Sequence, residues 1–157
     1  MEMPPLPAES SMAALVGHRF PGGTYCIEHW ENFLFSDATG IEPPADGVAH
    51  PAHLFHLAIN GVGTSITEIF DLVGSAGGAW APVSIDYYDW TLHQSLREDI
   101  TYRLQGGITD FVRSERAGSP TRDSFTYRIE IEHPSGAPVA EVEFRWHHWR
   151  PMAQVNP

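Results

Sequence analysis

The sequence predicts an α+β fold in which an antiparallel β-sheet wraps around one long α-helix. Residues 51–73 repeat apolar side chains at three- and four-residue steps, which is the period of a helix. Residues 123–132 and 139–149 instead alternate apolar and polar side chains, so each strand has one buried and one solvent-facing side. The turn sequence HPSGAP between these two strands predicts a hairpin. An antiparallel sheet with one apolar face needs a cover, and the long helix supplies it.

Ahead of the long helix, the chain predicts a tail, a strand and a shorter helix. Residues 1–14 hold three prolines and few large apolar side chains, so we expect a flexible N-terminal tail. A short strand is predicted for residues 23–30, after the turn sequence FPGG. A helix then runs to Gly40, because glycine suits the left-handed residue that ends a helix. Its side chains at helical spacing are Trp30, Phe33, Leu34 and Asp37.

The long helix is predicted to begin near Pro51 and to end near Val73, since proline suits a first helical turn. Gly61 and Gly63 weaken such a helix by about 1 kcal/mol each relative to alanine, so we expect close packing against the backbone there. Roughly 23 residues at about 1.5 Å each make a rod of about 35 Å. The polar face carries His53, His56, Asn60, Thr64, Thr67 and Asp71.

The second half of the chain predicts about four antiparallel strands. A mixed pattern covers residues 83–96, and residues 99–105 and 107–116 predict two successive strands. The side chains predicted to point inward from the last two strands are Phe125, Tyr127, Ile129, Ile131, Ala140, Val142, Phe144 and Trp146. This order of elements is the hot-dog arrangement, predicted as a single domain over residues 15–151 with a C-terminal tail at residues 152–157. We expect the open sheet edge to pair with a second hot-dog chain.

The charge of the chain restricts its partners. Twenty acidic side chains against nine basic ones give a formal net charge of −11. This charge repels nucleic acid and anionic membranes at long range, so neither is predicted as a partner. All nine basic residues are arginine, which excludes a lysine Schiff base. Eight of them lie at or after Arg97, which leaves room for a local basic patch that binds a phosphorylated ligand.

The predicted location is the cytoplasm. No apolar run reaches the roughly 18 residues that a membrane span needs, and the N-terminus lacks a signal-peptide pattern. The one cysteine, Cys26, has no partner in the chain for a disulfide.

The stretches G-x-x-F-P-G-G at residues 17–23, ATG at residues 38–40 and AH at residues 49–50 resemble the MaoC-like hot-dog hydratases and dehydratases. With the strand pattern, the resemblance covers about residues 15–147. It implies a lyase that hydrates enoyl thioesters, or dehydrates 3-hydroxyacyl thioesters, of coenzyme A or acyl carrier protein. It also implies an aspartate and a histidine that share the acid–base work, a backbone N–H at the start of the long helix that polarises the thioester carbonyl, and no cofactor.

The family's motif, G-D-x-N-P-x-H after ATG, is altered in this chain. Aligned without gaps, Ile41 takes the place of the aspartate and Asp46 that of the histidine. A second alignment places His53 at the histidine but Val48 at the aspartate. We prefer the first alignment, because it leaves the long helix whole.

Three histidines, His50, His53 and His56, follow one another at three-residue steps, and this spacing brings side chains to one helical face. We predict His50 or His53 as the acid–base catalyst. Asp46 is its predicted partner. An inert set of hydrogen-bonded imidazoles at a helix end is the alternative interpretation. The sequence HPAHLFH lacks the four-residue spacing and the glutamate of H-E-x-x-H, so no metal site is predicted.

Four further residues are predicted to bind substrate. Glu42 is an acid of the loop before the helix, His56 and Asn60 lie on its polar face, and Tyr87 lies in the aromatic stretch SIDYYDW. The functional prediction is therefore an atypical MaoC-like hydratase or dehydratase, active as a homodimer or with another hot-dog chain. The alternatives are a hot-dog thioesterase, a conjugate-addition or cyclisation enzyme, and a non-catalytic subunit of a two-component hydratase.

Overall fold

A computed structural model describes residues 6–42, 46–75 and 82–150. These residues form four helices and five strands. The helices are α1 (Glu9–Ala13), α2 (His29–Thr39), α3 (His53–Asn60) and α4 (Ile66–Leu72). The strands are β1 (Gly23–Cys26), β2 (Val83–Leu92), β3 (Thr101–Ser114), β4 (Arg122–Glu132) and β5 (Pro138–Trp149).

The strands form one antiparallel sheet in the order β1-β3-β4-β5-β2. One face of this sheet is covered by the helices and the other is polar. The predicted inward-facing side chains of β4 and β5 are all buried, as the alternation of the sequence requires. The α+β hot-dog prediction is therefore confirmed, with β1 and β2 at the two edges of the sheet.

Strand β3 is longer than predicted, because the two strands expected at residues 99–105 and 107–116 are one strand with a bulge between Ile108 and Asp110. The glycine pair in its middle does not make a turn. A side chain on Gly107 would overlap the carbonyl oxygen of His18, and Gly106 lies equally close to β4. The glycines keep the strand continuous where neighbouring backbone lies against it.

The prediction of one long helix over residues 51–73 is wrong, because α3 ends at Asn60 and α4 starts anew at Ile66. Gly63 has a φ of +75°, and a side chain there would overlap the carbonyl oxygen of Gly22. The helical conformation therefore stops where the turn before β1 packs against it. Ser65 then caps α4: its Oγ accepts the backbone N–H of Glu68 at 3.2 Å, and the Glu68 carboxylate accepts the Ser65 N–H at 2.7 Å.

Both short helices bury their apolar sides in the core on the inner face of the sheet. Leu54 and Leu57 of α3 are fully buried, as are Ile69 of α4 and Val73, which follows it. Burial of each such side chain contributes about 1.5–3 kcal/mol. Tertiary packing therefore stabilises helices that are too short to persist alone.

Part of the segment predicted as a flexible N-terminal tail is structured. Residues 9–13 form α1, and Met12 is buried against the side chain of Arg150. The prediction for residues 1–5 lies outside the described residues, as does the C-terminal tail predicted at residues 152–157.

A buried ionic cluster joins β3, β4 and the end of β5. The Asp123 carboxylate accepts hydrogen bonds from Arg113 Nε at 2.7 Å and Arg113 Nη2 at 2.8 Å, and from Arg150 Nε at 2.8 Å. Arg150 also donates to the carbonyls of Val73 and Gly74, at 2.7 and 2.8 Å. It thereby ties the C-terminal end of α4 to the sheet, where positive charge is favourable.

His148 lies beside this cluster and is fully buried. Its Nδ1 is 2.7 Å from Ser75 Oγ, whereas its Nε2 has no hydrogen-bond partner among the described residues. Burial lowers the pKa of His148 to about 4, and the nearby charge of Arg150 acts in the same direction.

We expect His148 to make stability fall as the pH drops from about 6.5 towards about 4. In this window the unfolded chain binds a proton at this histidine and the folded chain does not. The effect is at most about 1.4 kcal/mol per pH unit, or roughly 3 kcal/mol in total. Urea unfolding across this range measures it, and His148→Gln is expected to flatten the slope. An unchanged slope in the variant contradicts the assignment.

Candidate functional site

Three imidazoles surround one phenylalanine where α2 meets the start of α3. The ring centroid of Phe35 lies 5.6 Å from that of His50, 4.9 Å from that of His53 and 5.5 Å from that of His56. The structure thus brings together the three histidines singled out from the sequence. We refer to His50, His53 and His56 as the imidazole cluster.

His53 is the buried member of the cluster, with 2% of its surface exposed. Its Nε2 atom has no hydrogen-bond partner among the described residues. Burial lowers the pKa of His53, and the two neighbouring histidines add to the effect, while Glu31 and Glu98 oppose it. His53 is therefore unprotonated at neutral pH and has the charge state of a general base.

His50 is held by hydrogen bonds that set the position of its proton. Its backbone N–H donates to Asn32 Oδ1 at 2.9 Å, and its Nδ1 accepts the backbone N–H of Ala52 at 3.1 Å. An Nδ1 that accepts a hydrogen bond carries no proton, so neutral His50 carries its proton on Nε2. This N–H is available as a donor.

The helix-start N–H groups that we expected to polarise a thioester carbonyl all have partners within the chain. The N–H of Ala52 is taken by the His50 side chain. Those of residues 53–55 donate to the carbonyls of residues 50–52, at 3.0 to 3.1 Å. A tight turn of the i to i−3 type therefore consumes the donors that a helix start normally leaves free.

A buried asparagine positions the chain before α3. Asn32 is fully buried, and its Nδ2 donates to Glu98 Oε1 at 2.6 Å and to the Val48 carbonyl at 3.2 Å. The other Glu98 oxygen lies 2.7 Å from His29 Nδ1. Hydrogen bonds from Asn32 and then His29 lower the pKa of Glu98, so this carboxylate is ionised. Asn32 thus links α2, the loop before β3 and the His50 backbone.

Helix α2 confirms its predicted end, because Gly40 has a φ of +69°. Its apolar side chains nevertheless point outward: Trp30, Phe33 and Leu34 are 61%, 50% and 55% exposed. The buried side of α2 carries Asn32 and Ser36. Sequence reasoning missed Asn32 because the polar side of this helix faces the site, and it missed Phe35 and Glu98 as well.

An apolar cleft of about 390 Å³ lies next to the imidazole cluster. Its walls come from α3, α4, β2 and Trp146 of β5. Two polar side chains line it, His56 and Asn60, and both were predicted to bind substrate.

The first alignment of the altered motif was preferred because it kept a helix over residues 51–73 whole. That reason no longer holds, because α3 begins only at His53.

Neither loop acid makes a hydrogen bond to an imidazole of the cluster within the described residues. Asp46 is exposed, and its carbonyl oxygen, not its carboxylate, accepts a hydrogen bond from Arg97 Nη1 at 2.9 Å. Its carboxylate makes no hydrogen bond or ion pair with the described residues. Glu42 is also exposed and directly precedes residues 43–45, which are not described. The carboxylates that act electrostatically on His53 are Glu31 and Glu98.

Tyr87 lies on the outer face of the sheet, where its hydroxyl donates to Glu143 at 2.7 Å. A register shift between Ile85 and Tyr87 gives the inner position to Tyr88, whose ring stacks 5.0 Å from that of Phe144. A bulge of this kind cannot be read from an alternating pattern. Tyr87 therefore does not line the cleft.

Two further features of the described residues concern metals and membranes. Within the described ranges, no three or more histidine, cysteine, aspartate or glutamate side chains are grouped as ligands for a metal ion. Over the same part of the chain, no helix combines the length and apolar character of a membrane span.

Comparisons with known proteins identify the fold. No family model matches the chain, and no curated protein matches it. Among solved structures, it is similar to a chain of the ChsH1-ChsH2 complex from Mycobacterium tuberculosis, with a TM-score of 0.69 and 16% identity over 94% of this chain and 93% of that one. The monoamine oxidase regulatory protein from Archaeoglobus fulgius gives a TM-score of 0.61 and 12% identity, over 87% and 92% of the two chains.

A third similar structure is a 1,4-dihydroxy-2-naphthoyl-CoA thioesterase from Synechocystis, with a TM-score of 0.53 and 10% identity over 88% of this chain and 90% of that one. At such identities, similarity of structure establishes a common fold and no more. The chain has the hot-dog fold.

Proposed function

We propose that this chain binds an acyl thioester of coenzyme A or acyl carrier protein and catalyses reversible hydration of an enoyl chain. One observation carries the proposal: His56 belongs to the imidazole cluster and also lines the apolar cleft. An apolar acyl chain fits a cleft with this lining. The reactive end of the acyl group then lies beside groups that exchange protons near neutral pH.

The imidazoles divide the chemistry between them. Neutral His53, which is buried and does not line the cleft, receives the water proton through the His56 ring as the water oxygen bonds to C3 of the enoyl chain. The same proton then returns through His56 to C2, so that both rings end as they began. The Nε2–H of His50 donates to the thioester oxygen as negative charge develops there, in place of the occupied backbone N–H groups. Asn60 orients the water or the carbonyl from the cleft wall.

The similar structures support the substrate class. The Synechocystis protein is named as a thioesterase of a coenzyme A ester, so a fold shared with this chain processes acyl thioesters. Asp46 and Glu42 stay proposed as loop acids that orient an imidazole.

We expect purified protein to consume crotonyl-CoA or a longer enoyl-CoA, seen as loss of the enoyl absorbance, without release of free thiol. A thiol reagent added to the same assay separates hydration from hydrolysis. His18→Gln, which replaces an exposed histidine outside the cluster, serves as the matched control and retains activity. The proposal fails if no chain length is turned over, or if the double variant His53→Gln/His56→Gln keeps full activity.

The second candidate is a non-catalytic subunit that pairs with a catalytic hot-dog chain. The occupied helix-start N–H groups favour it, as does the fact that no imidazole of the cluster donates a hydrogen bond to a described carboxylate. The similar Mycobacterium tuberculosis structure is itself a complex of two proteins. Activity that appears only after co-expression with a chain carrying an intact D-x-N-P-x-H motif supports this candidate over the first.

The edge strand β2 is the proposed contact with a second chain, either another copy or a different hot-dog protein. It pairs only with β5 in the sheet, so its outer edge is unpaired within the described chain. Ile85, Trp90 and Leu92 on this strand are exposed. An unpaired edge with exposed apolar side chains is normally covered in a native protein.

A further inference from the structure

The cleft has two distinct ends, which can be located along β2. At one end, Tyr88 packs against Phe55 with ring centroids 5.0 Å apart, and Phe55 is the neighbour of His56. At the other end, Val83 is paired with His148 of β5. Because both Phe55 and Val83 line the cleft, it runs from the imidazole cluster towards α4.

Phe70 of α4 closes the end far from the imidazoles. It lines the cleft, and its ring lies 5.9 Å from that of Trp146 and 5.7 Å from that of His148, edge-on to both. Helix α4, which carries Phe70, is fixed at both ends. The capping box at Ser65 holds its start, and hydrogen bonds from Arg150 to the carbonyls of Val73 and Gly74 hold its end. Phe70 is therefore held in place as a wall.

The Phe70 ring contacts a buried imidazole, His148, of which one nitrogen atom lacks a hydrogen-bond partner among the described residues. His148 is fully buried, and its Nε2 makes no hydrogen bond within the described residues. Phe70 contacts this imidazole edge-on and lines the cleft, whereas His148 does not line it. Truncation of the ring therefore both deepens the cleft and brings a hydrogen-bonding group to its new floor.

We infer that Phe70 determines the length of the acyl chain that the cleft accepts. The inference rests on the proposed function, since it takes the acyl chain to lie with its thioester at His56 and its tail at Phe70. Phe70 acts on specificity alone and takes no part in the chemistry. A chain that reaches the ring fills the cleft, and a longer one meets it as a barrier.

The experiment measures calorimetric dissociation constants for hexanoyl-, decanoyl- and palmitoyl-CoA. Phe70→Ala is expected to shift the ratio of long-chain to short-chain affinity by about tenfold or more towards the long chain. Val83→Phe, which adds bulk at the same end, is expected to shift the ratio the other way. Phe111→Ala is the matched control, because Phe111 is half-buried against Phe125 and does not line the cleft.

A polar probe tests the role of the space behind the ring. In Phe70→Ala, ω-hydroxydecanoyl-CoA is expected to gain affinity relative to decanoyl-CoA, because its hydroxyl reaches His148 Nε2. The wild-type protein is expected to prefer the methyl-terminated chain. Should Phe70→Ala not fold, as judged by circular dichroism, Phe70→Leu and Val83→Phe measure the same ratio.

The possible results distinguish failure of the chain-length inference from failure of the proposed function. If the wild-type protein binds no acyl-CoA of any length, the proposed function is overturned and the inference with it. If it binds but the chain-length ratio is unchanged in Phe70→Ala and Val83→Phe, only the inference is overturned. Equal weakening at every length in Phe70→Ala also overturns it, because the ring is then a structural support and not a length limit.

Discussion

Replacing Asp123 with asparagine is expected to lower the free energy of unfolding by about 3–5 kcal/mol. The carboxylate lies between the guanidinium groups of Arg113 and Arg150, and all three side chains are almost completely buried. Asparagine keeps the shape but leaves two positive charges without compensation in a site that excludes water. Urea unfolding at neutral pH measures the loss.

The matched control is Asp110→Asn, which removes an ion pair of the same chemistry from the surface. Asp110 pairs with Arg145 at 3.2 Å and is 51% exposed. An exposed pair contributes at most about 1 kcal/mol, so this variant is expected to remain close to wild type. Equal losses in the two variants contradict the view that burial makes the Asp123 cluster important.

The pH dependence separates this cluster from His148. Burial by itself raises the pKa of Asp123, but the hydrogen bonds and charges of Arg113 and Arg150 outweigh it, so the pKa is lowered. The stability that Asp123 contributes is therefore present above the pKa of the unfolded carboxyl, near 3.9, and is lost below it. His148 acts at higher pH, between about 6.5 and about 4.

The second large effect concerns catalysis. Substitution of His53 or His56 by glutamine is expected to reduce turnover of the enoyl thioester by about 100- to 10,000-fold, because the proposed mechanism gives each a proton-transfer step. Glutamine retains hydrogen-bonding atoms but does not titrate. Steady-state rates are measured beside those of His18→Gln, whose histidine lies outside the cluster.

The pH profile distinguishes a chemical role from a structural one. The lowered pKa of His53 places the acid limb of kcat/KM below pH 6.5, since the base acts only when unprotonated. Loss of that limb in residual His53→Gln activity agrees with the assignment. A limb unchanged in shape and position shows that another group is the base.

The fold could be predicted from the sequence because alternation directly reports burial in antiparallel strands. Phe125 to Ile131 in β4, and Ala140 to Trp146 in β5, point where the pattern placed them. The alternating pattern fails where a bulge shifts which residues of a strand face inward. The register shift after Ile85 exchanged the sheet faces on which Tyr87 and Tyr88 lie. The two glycines of β3 lie within a continuous strand, although they were expected to end one.

The break between α3 and α4 could have been recognised from the sequence, although the apolar period continues across it. Ser65 and Glu68 have the spacing of a capping box, which marks a new helix start. The period continued through the break because both helices face the same core. Helical period alone therefore indicates which side is buried, and caps are needed to locate the ends.

The candidate site was only half predictable. The three histidines are close in sequence, so their spacing brought them to attention. The residues that support them are distant in sequence: Asn32 contacts Glu98 across 66 positions, and this contact forms only when α2 packs beside the loop before β3. From the sequence, the side of α2 with Trp30, Phe33 and Leu34 is expected to be buried and the polar side exposed. In the structure these three side chains are exposed and the polar side faces inward.

The interruption between α3 and α4 gives the molecule a modular design. His53 and His56, to which we assign proton transfer, lie on α3, whereas Phe70, the proposed limit on chain length, lies on α4, and each helix has its own start and end. Under the proposed function, substitutions on α4 would change which ligands are accepted while the imidazoles on α3 stay in place.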